Sequence, residues 1–304
     1  MHKRFQKISL KKKDWLKIKS DLLKPSHVTL YFITLGIILK TILLNSNPEF
    51  PTTLHRDAAE VVQSYFLTLP TVDTVLVVNS CARGLAVPES DLDFAILAKP
   101  GTTKKEIKKA EADWQVYSNH HDTISNYKKS SPYAHLHLDI IDGNYIPAAI
   151  EPGEPIDYFE IEIGNQICYS APMGTAGVYF QELQSKWLPF YDEELQQQRL
   201  KASAGACEYD LGHIPFFMKR ELYFQAFDIL CKAFQEYLRT LFIANKIYPI
   251  AYNKWIKEQV VKWLNKPDLY PKLSPVLSVS NIESNEINDK ARLLRELLHD
   301  LANV

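Results

Sequence analysis

The sequence predicts an α+β protein: a β-sheet with flanking helices in the first part of the chain, then a C-terminal α-helical bundle. Three observations predict this class. Residues 75–97 contain two apolar, β-branched runs around a polar loop, and residues 135–142 alternate strictly between polar and apolar; both patterns have strand period. From Val178 onward the apolar spacing becomes helical. Within that part Leu222, Ala226, Ile229, Leu230, Ala233, Leu238, Leu241 and Phe242 form a stripe wide enough for a helix buried in a bundle.

The chain of 304 residues can hold two domains with separate cores. Its 46% hydrophobic and 23% charged residues are those of a globular protein, not a disordered one. A formal net charge of −1 argues against a nucleic-acid protein that relies on a broad basic field. Cys81, Cys168, Cys207 and Cys231 are scattered with no C-x-x-C pair, so neither a zinc site nor a disulfide framework is expected. A reducing, cytoplasmic location suits them.

Residues 1–24 are strongly basic, and residues 27–44 are nearly all apolar apart from Lys40. About 18 residues is near the minimum for a membrane span. A charge inside the run is costly there, so a helix packed on the protein or lying on a membrane surface is the preferred expectation. Asn45 to Thr53, with Pro48 and Pro51, read as a linker. An amphipathic helix follows over Leu54 to Leu69, with Ala59, Val62, Tyr65 and Phe66 toward a core. Val75 to Val78 form a buried strand. Asn79, Ser80, Cys81, Ala82, Arg83 and Gly84 then make a turn of mostly small residues whose backbone N–H groups can approach an anion.

Asp91-Leu92-Asp93-Phe94 opens the next strand. Side chains repeat every two residues there, so Asp91 and Asp93 share one face while Leu92 and Phe94 enter the core. Two adjacent carboxylates repel each other, and a hard divalent cation relieves the repulsion. A charged helix is predicted over Thr102 to Ser118 with a Thr N-cap and Ile107, Ala110 and Trp114 buried. In the alternating stretch after it, His135, His137 and Asp139 occupy one face of a strand. Pro155 to Ser170 read as another strand, with Glu160 and Glu162 on one face, either solvated or lining a pocket for a cationic substrate. Helices are expected over 178–200, with a break at Pro189, over about Pro215 to Ala244, and over Ala291 to Leu301. Pro249 ends the long helix, and Lys254, flanked by aromatic residues at the start of a new helix, can reach a phosphate or lie on the surface.

The strand, the Asn79-Ser80 turn, Arg83, Gly84 and the Asp91-x-Asp93 pair resemble the nucleotidyltransferase superfamily typified by DNA polymerase beta. The layout is most similar to antibiotic (aminoglycoside and lincosamide) nucleotidyltransferases. Asn79 stands where that family usually has Gly, and Asn tolerates left-handed backbone better than most residues. The resemblance is strong over 75–97, moderate over 54–142 and architectural beyond. It implies a mixed sheet in a nucleotidyltransferase domain at 51–175, after a basic and apolar extension at 1–50. A helical, substrate-binding-type domain would follow at 176–304.

The resemblance further implies transfer of a nucleoside monophosphate from a nucleoside triphosphate such as ATP to an acceptor hydroxyl, most simply of a small molecule. Mg²⁺ would be held by Asp91 and Asp93, with Asp139 as a third acid that completes the metal site or acts as general base. Ser80, Arg83, Gly84 and Lys254 would contact the nucleotide. Two other readings compete: an enzyme modifying a protein side chain, and a non-catalytic nucleotide-binding module of the same fold. A nucleic-acid partner is disfavoured, since no basic strip with interleaved aromatics occurs beyond the N-terminus.

Overall fold

The computed structural model describes residues 47–302, so the basic segment and the apolar run 27–44 lie outside the described residues. Among the described residues no helix is long and apolar enough to cross a membrane. The architecture is α+β. A four-stranded mixed sheet carries helices, and a helical region follows.

Helix α1 (Thr53–Phe66) begins at Thr52, whose hydroxyl accepts from the His55 N–H, and buries Ala58, Ala59, Val62 and Phe66. Strand β1 (Val72–Val77) runs into a single helical turn, α2 (Asn79–Ala82), and β2 (Leu92–Ala98) returns antiparallel to β1. Helix α3 (Lys104–Asn119) starts in a reciprocal capping box between Thr103 and Glu106. After α4 (Asp122–Lys129), β3 (Leu136–Ile141) lies parallel to β2. A short β4 (Ala171–Pro172) completes the order β3-β2-β1-β4.

Both faces of the sheet are covered. Val75, Val77, Leu92, Phe94 and Ile96 pack against α1, Trp114 of α3 and Tyr127 of α4. On the other face Leu76, Val78, Ala95 and Leu97 meet Phe159, Ile163, Tyr248 and Trp263. By strand alternation Asp91 and Asp93 belong with Ala95 and Leu97. The carboxylates therefore lie on the face turned toward the C-terminal part of the chain.

The segment expected to be a strand over 155–170 is helical instead: α5 (Phe159–Ile163) continues directly into a π-helical turn at Gly164–Cys168. Phe159, Ile163 and Ile167 are buried at intervals of four, a helical period that the alternation of Glu160, Ile161, Glu162 and Ile163 concealed. Glu160 lines no open pocket; it is fully buried and bound by the protein's own Arg199.

Helix α6 (Val178–Trp187) is separated from α7 (Glu193–Lys219) near Pro189, as expected. The next break is displaced. Pro215 sits inside α7, and the chain turns at Glu221, with φ +58°, before α8 (Tyr223–Ala244). Leu230, Ala233, Leu238, Leu241 and Phe242 of α8 are all buried, so the expected stripe is real. After α9 (Ile256–Glu258, continuing as a π turn to Trp263) and α10 (Tyr270–Leu273), α11 (Glu286–Ala302) packs on α7 and α8.

An ion cluster ties these parts together. Arg199 of α7 binds Glu160, donates to Asp157 Oδ1 at 2.7 Å and to the Ala148 carbonyl at 3.1 Å. Arg239 of α8 adds a contact to Asp157 at 3.2 Å. Burial alone would lower the Arg199 pKa, but the hydrogen bonds and charges of Glu160 and Asp157 reverse the shift and raise it. Removing one partner of such a cluster strands the others. We expect Arg199→Met to cost about 3–5 kcal/mol, read as a shift in the urea midpoint. A loss below about 1 kcal/mol would show that the cluster contributes little.

Candidate metal and nucleotide site

The site begins with the turn after β1. Asn79 adopts φ +58°, the left-handed conformation for which Asn is among the better-suited residues that carry a Cβ. Its side chain hydrogen-bonds to Asp93 and its carbonyl accepts from Arg83 Nε at 3.1 Å. The Ser80 carbonyl closes the turn by accepting from the N–H groups of Arg83 and Leu85. Cys81 is buried, and burial together with the charges of Asp93 and Asp91 pushes its thiol up to about 12. It is a neutral packing residue and not a nucleophile.

The loop before β2 is anchored from below. The buried His55 ring reaches the Ser90 carbonyl at 3.0 Å, and the Tyr127 hydroxyl donates to the carbonyls of Ser90 and His135. Asp91 and Asp93 follow, both half-buried. In the parallel register Asp93 is paired with His137 and Ala95 with Asp139. His137 Nε2 lies 3.4 Å from Asp91 Oδ2. Asp91, Asp93 and His137 can each present a ligand atom within 4.8 Å of the others.

Asp139 is exposed and stands two residues further along the strand, about 7 Å on at strand rise. The group brought together thus contains His137, and Asp139 lies beside it on the same face. His135 is exposed on that face too, with its ring centroid 5.9 Å from that of His137. The role of His137 was concealed because alternation assigns His135, His137 and Asp139 to one face without saying which of them meets Asp93. Only the β2–β3 register decides that.

Burial pushes the Asp93 carboxyl above the usual carboxylate range. The Asn79 hydrogen bond and the charges of His137 and Lys254 pull it down, while Asp91 pushes it up. Lys254 is exposed and arrives from the loop before α9. Its charge is the smallest of these influences on the Asp93 carboxyl. Arg83 is half-buried, and burial lowers its pKa. Its guanidinium lies 5.3 Å from the centroid of the Trp255 ring, so it acts as a brace between the turn and the α9 loop.

Residues 47–50 depart from the linker expectation. The Glu49 N–H donates to the Cys81 carbonyl at 2.9 Å, and Phe50 packs on the sheet core. Gly84 has φ +66°, and a Cβ there would lie 2.9 Å from the Glu49 carboxylate. A cavity of about 490 Å³ opens beside this segment, lined by Glu49, Phe50, Arg56 and Met173 among others. None of Asp91, Asp93 and His137 lines it.

Comparison with protein-family models and with curated protein sequences finds no match for this chain.

Two outcomes test this geometry. A carboxyl whose pKa is raised by folding binds its proton more tightly folded than unfolded, so stability falls as pH rises through the unfolded and then the folded pKa. Ionised Asp93 is then a net cost to the fold at neutral pH. Without added metal, Asp93→Asn should melt at or above the wild-type temperature at pH 7, and the difference should vanish below about pH 4. A midpoint several degrees lower at pH 7 would contradict the assignment. Gly84→Ala should cost about 1–2 kcal/mol through its left-handed backbone and its contact with Glu49. Glu49→Ala in the same chain should restore only the steric part, as a double-mutant cycle would read.

Proposed function

We propose that this protein is a divalent-metal-dependent nucleotidyltransferase that moves a nucleoside monophosphate from a triphosphate to an acceptor hydroxyl, most simply of a small molecule. The observation that carries the reading is the convergence of Asp91, Asp93 and His137 beside the left-handed Asn79-Ser80 turn. The resemblance of the turn and the Asp-x-Asp pair to polymerase-beta-like and antibiotic nucleotidyltransferases supports it, as does the mixed sheet followed by helices.

The donor set fits a divalent cation. Two carboxylate oxygens suit Mg²⁺, and an imidazole nitrogen extends the set toward Mn²⁺. When bound, such an ion would neutralise triphosphate charge and polarise the phosphorus being attacked. The chain's own groups do the rest. The N–H groups and hydroxyl around Ser80 suit terminal phosphate oxygens. Lys254, whose charge reaches Asp93, would add a positive charge. The acceptor oxygen would bond to the α-phosphorus while the bond from that phosphorus to the bridging oxygen breaks, releasing pyrophosphate with its electron pair. Asp139, exposed beside the ligand group, would take the acceptor's proton.

Two variants separate these roles. His137→Ala should weaken Mn²⁺ binding, measured by the ion's magnetic resonance signal, more than it weakens Mg²⁺ binding. Unchanged Mn²⁺ binding would remove His137 from the ligand set. Asp139→Asn should bind nucleotide within about tenfold of wild type, yet transfer about 10²–10⁴-fold more slowly to any acceptor found by screening hydroxylated compounds with labelled triphosphates. Binding and transfer falling in equal proportion would leave Asp139 without a role as base. Tight nucleotide and metal binding with no turnover on any acceptor would favour a binding module.

A further inference from the structure

The backbone of Trp255 is the starting point. Among the described residues six non-glycine residues have positive φ: Asn79, Phe190, Glu221, Lys246, Trp255 and Asn265. Four of them follow helix ends. Beyond Glu221 and Lys246, for example, the N–H groups of Leu222 and Ile247 reach back to the carbonyls of Phe217 and Phe242, which is the capping that normally offsets a left-handed residue. Asn79 and Trp255 instead stand at the starts of short helical turns, where no preceding helix end supplies that capping. Asn79 carries the turn at the carboxylates. A tryptophan in this conformation is an outlier for so bulky a side chain, and outliers of this kind cluster at ligand sites.

The loop that holds Trp255 is fixed from beneath. The buried Gln259 side chain accepts from the Ile250 N–H at 2.9 Å and donates to the carbonyls of Ala251 and Lys254. Asn165 donates to the Ile250 carbonyl and Tyr169 to that of Tyr248. A Cβ on Gly164 would lie 2.1 Å from the Pro249 carbonyl oxygen, so the π turn and the loop are in direct contact. Within this clamp Trp255 nevertheless remains 40% exposed. Its ring is joined to the carboxylates through Arg83, whose guanidinium packs on it, and through Asn79, which hydrogen-bonds both Arg83 and Asp93. Its chain neighbour Lys254 adds a small charge effect on Asp93, after that of His137.

We propose that Trp255 is the stacking platform for the base of the nucleotide, and that the platform favours purines. The inference rests on the nucleotidyltransferase reading of the same site and adds a subsite to it. A preset, half-exposed indole backed by a guanidinium offers a large π surface beside the place where the phosphates would sit, and a two-ring base covers more of it than a one-ring base. Stacking is tolerant of hydrogen-bonding pattern, so ATP and GTP bind alike and both bind more tightly than CTP or UTP.

The test measures binding of ATP, GTP, CTP and tripolyphosphate, each with Mg²⁺, to the full chain by calorimetry. Tripolyphosphate reports the phosphate and metal part alone. In wild type the purine nucleotides should bind most tightly. Trp255→Ala should weaken ATP by about tenfold or more, the scale that an alanine change at a stacking aromatic produces, and leave tripolyphosphate within about twofold. Trp255→Phe should keep most of the ATP affinity, which guards against a trivial loss of folding. Wild type binding CTP as tightly as ATP overturns the purine preference. Trp255→Ala binding ATP like wild type, or losing tripolyphosphate as much as ATP, overturns the platform while the phosphate site stands. Wild type binding neither ATP nor tripolyphosphate overturns the nucleotidyltransferase reading, and the platform falls with it.

Discussion

The parallel pairing of β2 with β3 decides what the two carboxylates share their face with. Asp93 pairs with His137, so an imidazole stands across the ladder from the buried acid. A shift of two residues would keep the same face but bring Asp139 or His135 there instead, and a shift of one would turn an apolar side chain toward the acids. The register is held at the start of both strands. The Tyr127 hydroxyl spans the carbonyls of Ser90 and His135, and the Leu92 N–H donates to His135. The apolar set Leu136, Leu138 and Ile140 on the opposite face must meet the core under α1 and α4, which opposes a one-residue slip.

Charge balance at this point is local. Asp91 and Asp93 repel, and burial of Asp93 adds to the cost of ionising it. Asn79, His137 and Lys254 each offset part of that cost, from three separate segments of the chain. The turn, the edge strand and the α9 loop therefore have a shared reason to converge on Asp93. Arg83 does not face the acid in the same way. Its contacts are the Asn79 carbonyl and the Trp255 ring, so its charge supports the frame around the site.

Much of this was legible in the sequence. The strands around 75–97 and 135–142, the capped α3, the wide stripe of α8 and the paired acids all follow from period and residue type, and the left-handed Asn79 agrees with its standing where the resembled family usually has Gly. What period cannot give is pairing. The pattern of 135–142 names three polar side chains on one face but is silent on which one meets Asp93. Period also misleads over short spans: two Glu–Ile repeats imitate a strand within a helix that buries Phe159, Ile163 and Ile167 at intervals of four. The sequence places a helix start at Pro215, yet Ile214 beside it is fully buried, and packing carries α7 past the proline to Lys219. Residues 47–50 have a linker's composition, but a single backbone bond to Cys81 and the packing of the partly buried Phe50 on the sheet core override it.

The ion cluster far along the sequence from the acids bears on them through a chain of contacts. Arg199 and Arg239 fix Asp157 and Glu160, and so the start of α5. Helix α5 runs without interruption into the π turn at Gly164, whose missing side chain admits the Pro249 carbonyl. That contact, with the hydrogen bonds from Asn165 and Gln259, sets the path of 248–254 and hence where Lys254 begins. A buried ion cluster is weak evidence for stability, since apolar residues of similar volume often do as well. Its directional bonds do something that apolar packing does poorly: they fix one arrangement of α5 against α7 and α8. In this protein that arrangement fixes the loop from which the Lys254 charge acts on Asp93.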